Sequence, residues 1–153
     1  AMTGSRIGWV IGPEEVVSGL TELATRTTYG VAGYIQDAAL FAINQGEILE
    51  KKVSAPFERR KGIATKVLSN FPSLKYVVPK GGMYLMIDIR NTGLSGKDFA
   101  NQLLYKHSIA VMPGESFGKS AAGHLRVAMT ESDPVFQEAL EKLCVFAKQL
   151  CSL

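Results

Sequence analysis

Histidine and cysteine are scarce in this chain, with two of each among 153 residues. His107 and His124 form no zinc pattern with Cys144 and Cys151, so no metal site is expected. The two cysteines fall on one predicted helix, where seven residues rise about 10 Å, too far for a disulfide between them. Two reduced thiols are expected, one of them buried. Long apolar runs are also missing: none approaches the roughly 20 residues of a membrane helix. Charge of one sign does not accumulate, since 17 Lys and Arg against 14 Asp and Glu leave a mild +3. The basic clusters KYVVPK and ERRK read as solvated faces, not as a nucleic-acid footprint. No internal repeat or low-complexity segment occurs, and Asp88, Asp98, Asp133 and the glutamates show no paired-carboxylate spacing. What is abundant is apolar residue, 46% of the chain against 20% charged, enough to bury a sizeable core in one ordinary domain.

The apolar spacing divides the chain. Arg6 to Ile11 reads as a short strand ended by Gly12-Pro13. Pro13 then starts a helix with Glu14 and Glu15 in its first turn and a stripe of Val16, Val17, Leu20, Leu23 and Ala24. VAGYIQDAALFAINQ is apolar nearly all round, which predicts a helix buried on most sides. A polar helical stretch runs from Gly46 towards Asn70, interrupted near Pro56, with Phe57, Ala64, Val67, Leu68 and Phe71 on one side. Tyr76 to Val78, Met83 to Ile89, Ile109 to Met112 and Leu125 to Met129 read as strands. Ser95 caps a helix carrying Phe99, Leu103 and Leu104, and Ser132 caps a terminal helix carrying Phe136, Ala139, Leu140, Leu143, Ala147 and Leu150. Trp9, Tyr34, Phe41 and Phe57 read as core or interface residues. Residues 72–153 form a compact α+β unit on this reading. Residues 1–45 do not look self-sufficient, because one strand makes no sheet and an all-apolar helix needs neighbours.

Three stretches offer chemistry. PGESFGKS follows a strand as a phosphate-binding P-loop does, but only Glu115, Ser116 and Phe117 separate Gly114 from Gly118. The loop is one residue short, and it leads to a strand where a P-loop leads to a helix, so Lys119 is not expected to hold a nucleotide. Ser116 also lacks the local histidine and acid of a hydrolase triad. In LRVAMT, Arg126 interrupts a period-two apolar strand. Either it points to solvent, or the small Ala128 and Thr130 beside it leave room for a carboxylate on its planar fork. In TGSRIGWV, Arg6 lies among small residues that let an anion approach, and a salt bridge to an acidic group elsewhere is the reading that the residues alone slightly favour.

AMTGSRIGWVIGP, KGGMYLMIDI, IAVMPGESFG and HLRVAMT, in this order and at these separations, resemble the C-terminal part of class I/II aminotransferases. These are pyridoxal 5'-phosphate enzymes with the aspartate-aminotransferase fold, and the resemblance covers essentially the whole chain. It implies an α/β fold: residues 1–45 would end the large cofactor-binding domain, 46–71 would form an interdomain helix region, and 72–153 would make a small α+β domain. Arg6 matches the arginine that binds the cofactor phosphate. Arg126 matches the arginine that clamps the substrate α-carboxylate. Ser116 and Phe117 match the loop lining the substrate side of the pocket, and Thr27 to Tyr29 match a segment near the partner's site in the family dimer.

The function implied is transfer of an amino group between an L-amino acid and a 2-oxo acid, by a homodimer, expected in the cytoplasm with no membrane or nucleic-acid partner. The lysine that holds the cofactor as a Schiff base would fall just before Ala1, and neither Lys80 nor Lys119 has its context. The chain is therefore expected to be a fragment without activity of its own. Lyases and synthases of the same fold share these motifs, and a non-catalytic binding module is the alternative from another class.

Overall fold

The computed structural model describes residues 2–151. The chain divides into two compact units, one ending at Val53 and one starting at Ser54.

The first unit opens with a 3-10 turn, Thr3–Ser5, closed by Arg6 in the left-handed region at φ 56°. Helix α1 spans Glu14–Thr27, with Pro13 as its N-cap residue and the two glutamates in its first turn. Helix α2 spans Gly33–Asn44. The strand expected over Arg6 to Ile11 does not form, and residues 7–13 carry no regular structure. A strand exists through ladder hydrogen bonds, and among the described residues nothing pairs with this segment. The expectation of a helix buried on most sides is also corrected. In α2 only Ala39 is buried, while Tyr34, Leu40, Phe41 and Ile43 are exposed, as are Trp9 and, in α1, Val16, Val17, Leu20 and Leu23. Apolar periodicity records which side chains need cover; it does not supply it.

Helix α3 spans Gly46–Leu68 without the break expected at Pro56, and the boundary between the units falls inside it. Proline removes one helical hydrogen bond at a cost of about 3 kcal/mol. The helix continues because its later turns bury Ala64, Val67 and Leu68 in the second unit's core, with Phe57 and Phe71 packed against them.

The second unit holds a four-stranded antiparallel sheet in the order β1-β2-β4-β3, with β1 Lys75–Val77, β2 Tyr84–Asp88, β3 Met112–Pro113 and β4 His124–Ala128. Helix α4 (Gly96–His107) lies between β2 and β3 in sequence, and α5 (Asp133–Cys151) follows β4. The period-two pattern holds: Leu85, Ile87, Leu125 and Val127 are buried on one face with Phe99, Leu103, Phe136, Leu140 and Leu143. Phe99 and Phe146 pack with ring centroids 5.0 Å apart. Ser95 caps α4 as expected, its hydroxyl accepting from the Asp98 amide at 3.1 Å. Leu104 points out of the stripe read for it and Ala100 points in. Strand β3 is shorter than the expected Ile109 to Met112. Ser108 turns the chain at φ 56°, and Ile109 and Val111 pack against the core instead of joining the ladder.

Both cysteines are free, Cys144 buried and Cys151 half-buried. Burial pushes the Cys144 thiol up to about 12, which makes it inert. The ERRK cluster is only partly the solvated face it resembles. Arg60 is 13% exposed and donates to the Asp133 carboxylate at 2.9 Å and to the Met129 carbonyl at 3.0 Å, tying α3 to the end of β4 and the start of α5.

Candidate functional site

Arg126 sits on β4, an inner strand, facing away from the core. Leu125 and Val127 take the buried face, so Arg126 and Ala128 take the other. In the register Tyr84 stands opposite Ala128 and Met86 opposite Arg126, which makes Tyr84 a diagonal neighbour of the arginine. That spacing is within reach of an aromatic ring. The Arg126 guanidinium carbon lies 4.1 Å from the Tyr84 ring centroid and 4.4 Å from that of Phe117. Two aromatic rings thus flank the guanidinium, each favourable by roughly 0.5–1 kcal/mol at an exposed site. Among the described residues no carboxylate comes within ion-pair distance of it. Ring contacts engage the faces of the fork and leave its in-plane N–H donors, which are the ones that bind a carboxylate.

Phe117 ends a 3-10 turn, Gly114–Phe117, directly after β3. A second such turn, Lys119–Ala121, leads into β4, so PGESFGKS is not a P-loop: no helix N-terminus follows it. Ser116 is exposed on the first turn. Glu115 was not singled out by sequence. Its Oε1 accepts from the Gly96 amide at 2.9 Å and the Gly123 amide at 3.1 Å. Bonds from the Gly123 amide above all, then from its own amide and that of Gly96, hold its carboxyl below the usual range. The neighbouring glycines are required by close approach: a Cβ at Gly96 or Gly114 would collide with Glu115 Oε2 or the Ala121 carbonyl oxygen, respectively. Tyr84 was also missed, although its period-two offset from the apolar face of β2 placed it on the arginine's side.

A second charged pair braces the far end of the sheet. Asp88 accepts from Arg90 Nε at 2.9 Å and Nη2 at 2.6 Å, and from the Arg90 amide at 3.0 Å. The Arg90 side chain, against some opposition from burial, brings Asp88 from an ordinary 3.8 down to about 2. A depressed carboxyl stabilises the fold above the unfolded value and ceases to do so as pH falls through the folded one. Stability should therefore decline between about pH 4 and pH 2 by about 1 kcal/mol from this group, solvent screening of the exposed Arg90 limiting the effect. Unfolding free energies of the wild type and Asp88→Asn across that interval check this, the variant showing the flatter profile.

In the first unit a cavity of about 360 Å³ is lined by Gly4, Ser5, Arg6, Gly30 and Tyr34, among others. Arg6 Nη1 donates to the Thr3 carbonyl at 2.9 Å, and among the described residues Arg6 has no ion pair. A guanidinium with donors remaining and a serine on one concave surface suit a phosphate-bearing ligand, so these residues fit the anionic end of pyridoxal phosphate. Tyr29, two residues past the end of α1 and just before Gly30, takes the left-handed region at φ 57° and is 90% exposed.

This architecture is that of a known enzyme group. The family model for aminotransferase class I and II matches residues 1–143. The chain belongs to the class I and II aminotransferase family. It is 39% identical over 150 residues to arginine–pyruvate transaminase AruH of Pseudomonas aeruginosa, covering 98% of this chain and 38% of that protein. It is 32% identical over 145 residues to an aspartate aminotransferase of Pyrococcus horikoshii, covering 94% of this chain and 37% of that protein. Among solved structures, an aminotransferase from Staphylococcus aureus superposes with a TM-score of 0.80 at 28% identity, over 96% of this chain and 39% of that one. Aspartate aminotransferase from Thermus thermophilus with maleate superposes with a TM-score of 0.76 at 30% identity, over 97% and 38%. The chain thus spans well under half the length of these relatives, and its fold is part of theirs.

Proposed function

We propose that this chain is the C-terminal part of an aminotransferase that moves an amino group between an L-amino acid and a 2-oxo acid. The observation that carries this reading is the Arg126 guanidinium, flanked by two rings and unpaired with any described carboxylate, in a chain whose family model matches nearly throughout. Residues 1–45 would then close the cofactor domain, 46–71 bridge the domains and 72–153 form the small domain. Arg6 holds the phosphate of pyridoxal phosphate, and Arg126 holds the α-carboxylate of the amino acid, with Phe117 and Ser116 on the same loop lining the substrate side. Pyridoxal phosphate, when bound, supplies the electron sink that lets an amino acid lose its Cα proton. The chain's own contribution is orientation and charge: a carboxylate fixed through two parallel hydrogen bonds has few ways to rotate, which aligns the Cα–H bond. Homodimerisation belongs to the same reading, and the exposed Trp9, Tyr34 and Phe41 are surface that an assembly would cover. A cytoplasmic location is part of it too, in keeping with two free cysteines.

The test compares the full-length parent with this chain alone, each given pyridoxal phosphate, a panel of L-amino acids and pyruvate or 2-oxoglutarate. The parent should convert an amino acid to its 2-oxo acid while the acceptor becomes an amino acid in equal amount. No lysine here has the context of the one that carries the cofactor, so the isolated chain should show no turnover. Elimination or condensation products from the parent would replace this reading with a lyase or synthase of the same fold. Turnover by the isolated chain would refute the placement of the lysine.

A further inference from the structure

Phe117 can stack on Arg126 only if the turn that carries it is held in place; Gly114 packs the start of the turn against β4, but few hydrogen bonds hold its far end. The turn's backbone bond at its end is local, from the Gly118 amide to the Glu115 carbonyl at 3.3 Å. Among the described residues, the only side-chain hydrogen bonds from Gly114–Phe117 are those of Glu115. They are well placed. One oxygen, Oε1, takes the amide of the first residue of α4 and the amide of the residue preceding β4. The carboxylate therefore joins three pieces: the turn bearing Phe117, the start of α4, and the start of the strand on which Arg126 stands three residues past Gly123. The fit is tight, since Gly96 leaves no room for a Cβ against Glu115 Oε2.

We infer that Glu115 is a positioning residue for substrate binding: its carboxylate sets Phe117 against the Arg126 guanidinium and so fixes the direction of the fork. The inference rests on the reading of Arg126 as the carboxylate clamp. Glu115 touches neither substrate nor cofactor on this account. A fork free to rotate still carries its charge but loses the two-bond geometry, so affinity for the carboxylate falls more than the rate of the bound complex.

The experiment uses the full-length parent with cofactor and its best amino acid from the panel. Glu115→Ala should raise KM for that amino acid about tenfold and lower kcat by clearly less. Glu115→Gln keeps the Oε1 acceptor and should return KM to within about threefold of wild type. In kcat/KM, Glu115→Ala should add little to Arg126→Ala, because both act through one guanidinium. An unchanged KM in Glu115→Ala, failure of Gln to rescue, or full additivity with Arg126→Ala would each overturn the inference. Should Glu115→Ala not fold, Phe117→Leu leaves the carboxylate bonds in place and must itself raise KM; an unchanged KM there is equally fatal. If instead Arg126→Ala alone leaves amino-acid turnover untouched, it is the underlying reading of Arg126 that fails.

Discussion

Arg126→Ala in the full-length parent is expected to lower kcat/KM for the amino acid about 1,000-fold, corresponding to about 4 kcal/mol of lost stabilisation. The magnitude follows from what is removed. A charge-assisted pair of hydrogen bonds disappears and the substrate carboxylate is left without its counter-charge, a loss well beyond that of a neutral hydrogen bond. Lysine restores the charge but not the planar fork, so Arg126→Lys should recover only part of the activity. Stability should fall only by the two ring contacts, about 1–2 kcal/mol, because Arg126 faces away from the core and its neighbours Leu125 and Val127 keep their packing. A large fall in turnover with a melting temperature lowered by only a few degrees, measured on the same preparations, is the expected pair of results. Turnover within threefold of wild type would remove Arg126 from the substrate site.

Gly114→Ala is the second large effect, and it should appear first as instability. An added Cβ would collide with the Ala121 carbonyl oxygen and lie 2.8 Å from the His124 carbonyl oxygen. Both obstacles are backbone, one at the end of the second 3-10 turn and one at the start of β4. Neither can swing aside as a side chain can. Relief requires the Gly114–Phe117 turn to shift away from β4, at a cost of about 3 kcal/mol. The same shift would stretch the Glu115 bonds to Gly96 and Gly123 and draw Phe117 off the arginine. Denaturant unfolding of Gly114→Ala should show the destabilisation, and whatever folded parent enzyme remains should bind its amino acid more weakly. A stable variant would mean that the turn is not closely packed on β4.

The two effects separate because β4 is two-faced. Odd positions lock into the core and set stability, while Arg126, on the other face, meets Tyr84 and Phe117 and sets what that surface can bind. One strand therefore serves both purposes with little interference.

Much of this was legible in the residues themselves. Period two in LRVAMT put Arg126 opposite the core, and the stripe of Phe136, Leu140, Leu143 and Ala147 marked the buried side of α5. Ser95 announced the start of α4. These are local facts: backbone geometry fixes which neighbours share a face, and a chain of apolar residues at that spacing has one way to bury them. The unpartnered segment over residues 7–13 and the exposed faces of α1 and α2 show the limit of such reading, because a ladder or a core needs a second surface.

Tertiary structure alone decided three things. It carried α3 through Pro56, since burial of Ala64, Val67 and Leu68 outweighs one missing hydrogen bond. It buried Arg60 by supplying Asp133 and a carbonyl from elements some seventy residues away. And it brought Tyr84, Phe117 and Arg126 together while setting the Glu115 carboxylate on the amides of Gly96 and Gly123. Spacing along a chain determines the face a side chain takes, but strand register and loop closure determine what stands across from it, and those depend on contacts between residues far apart in sequence.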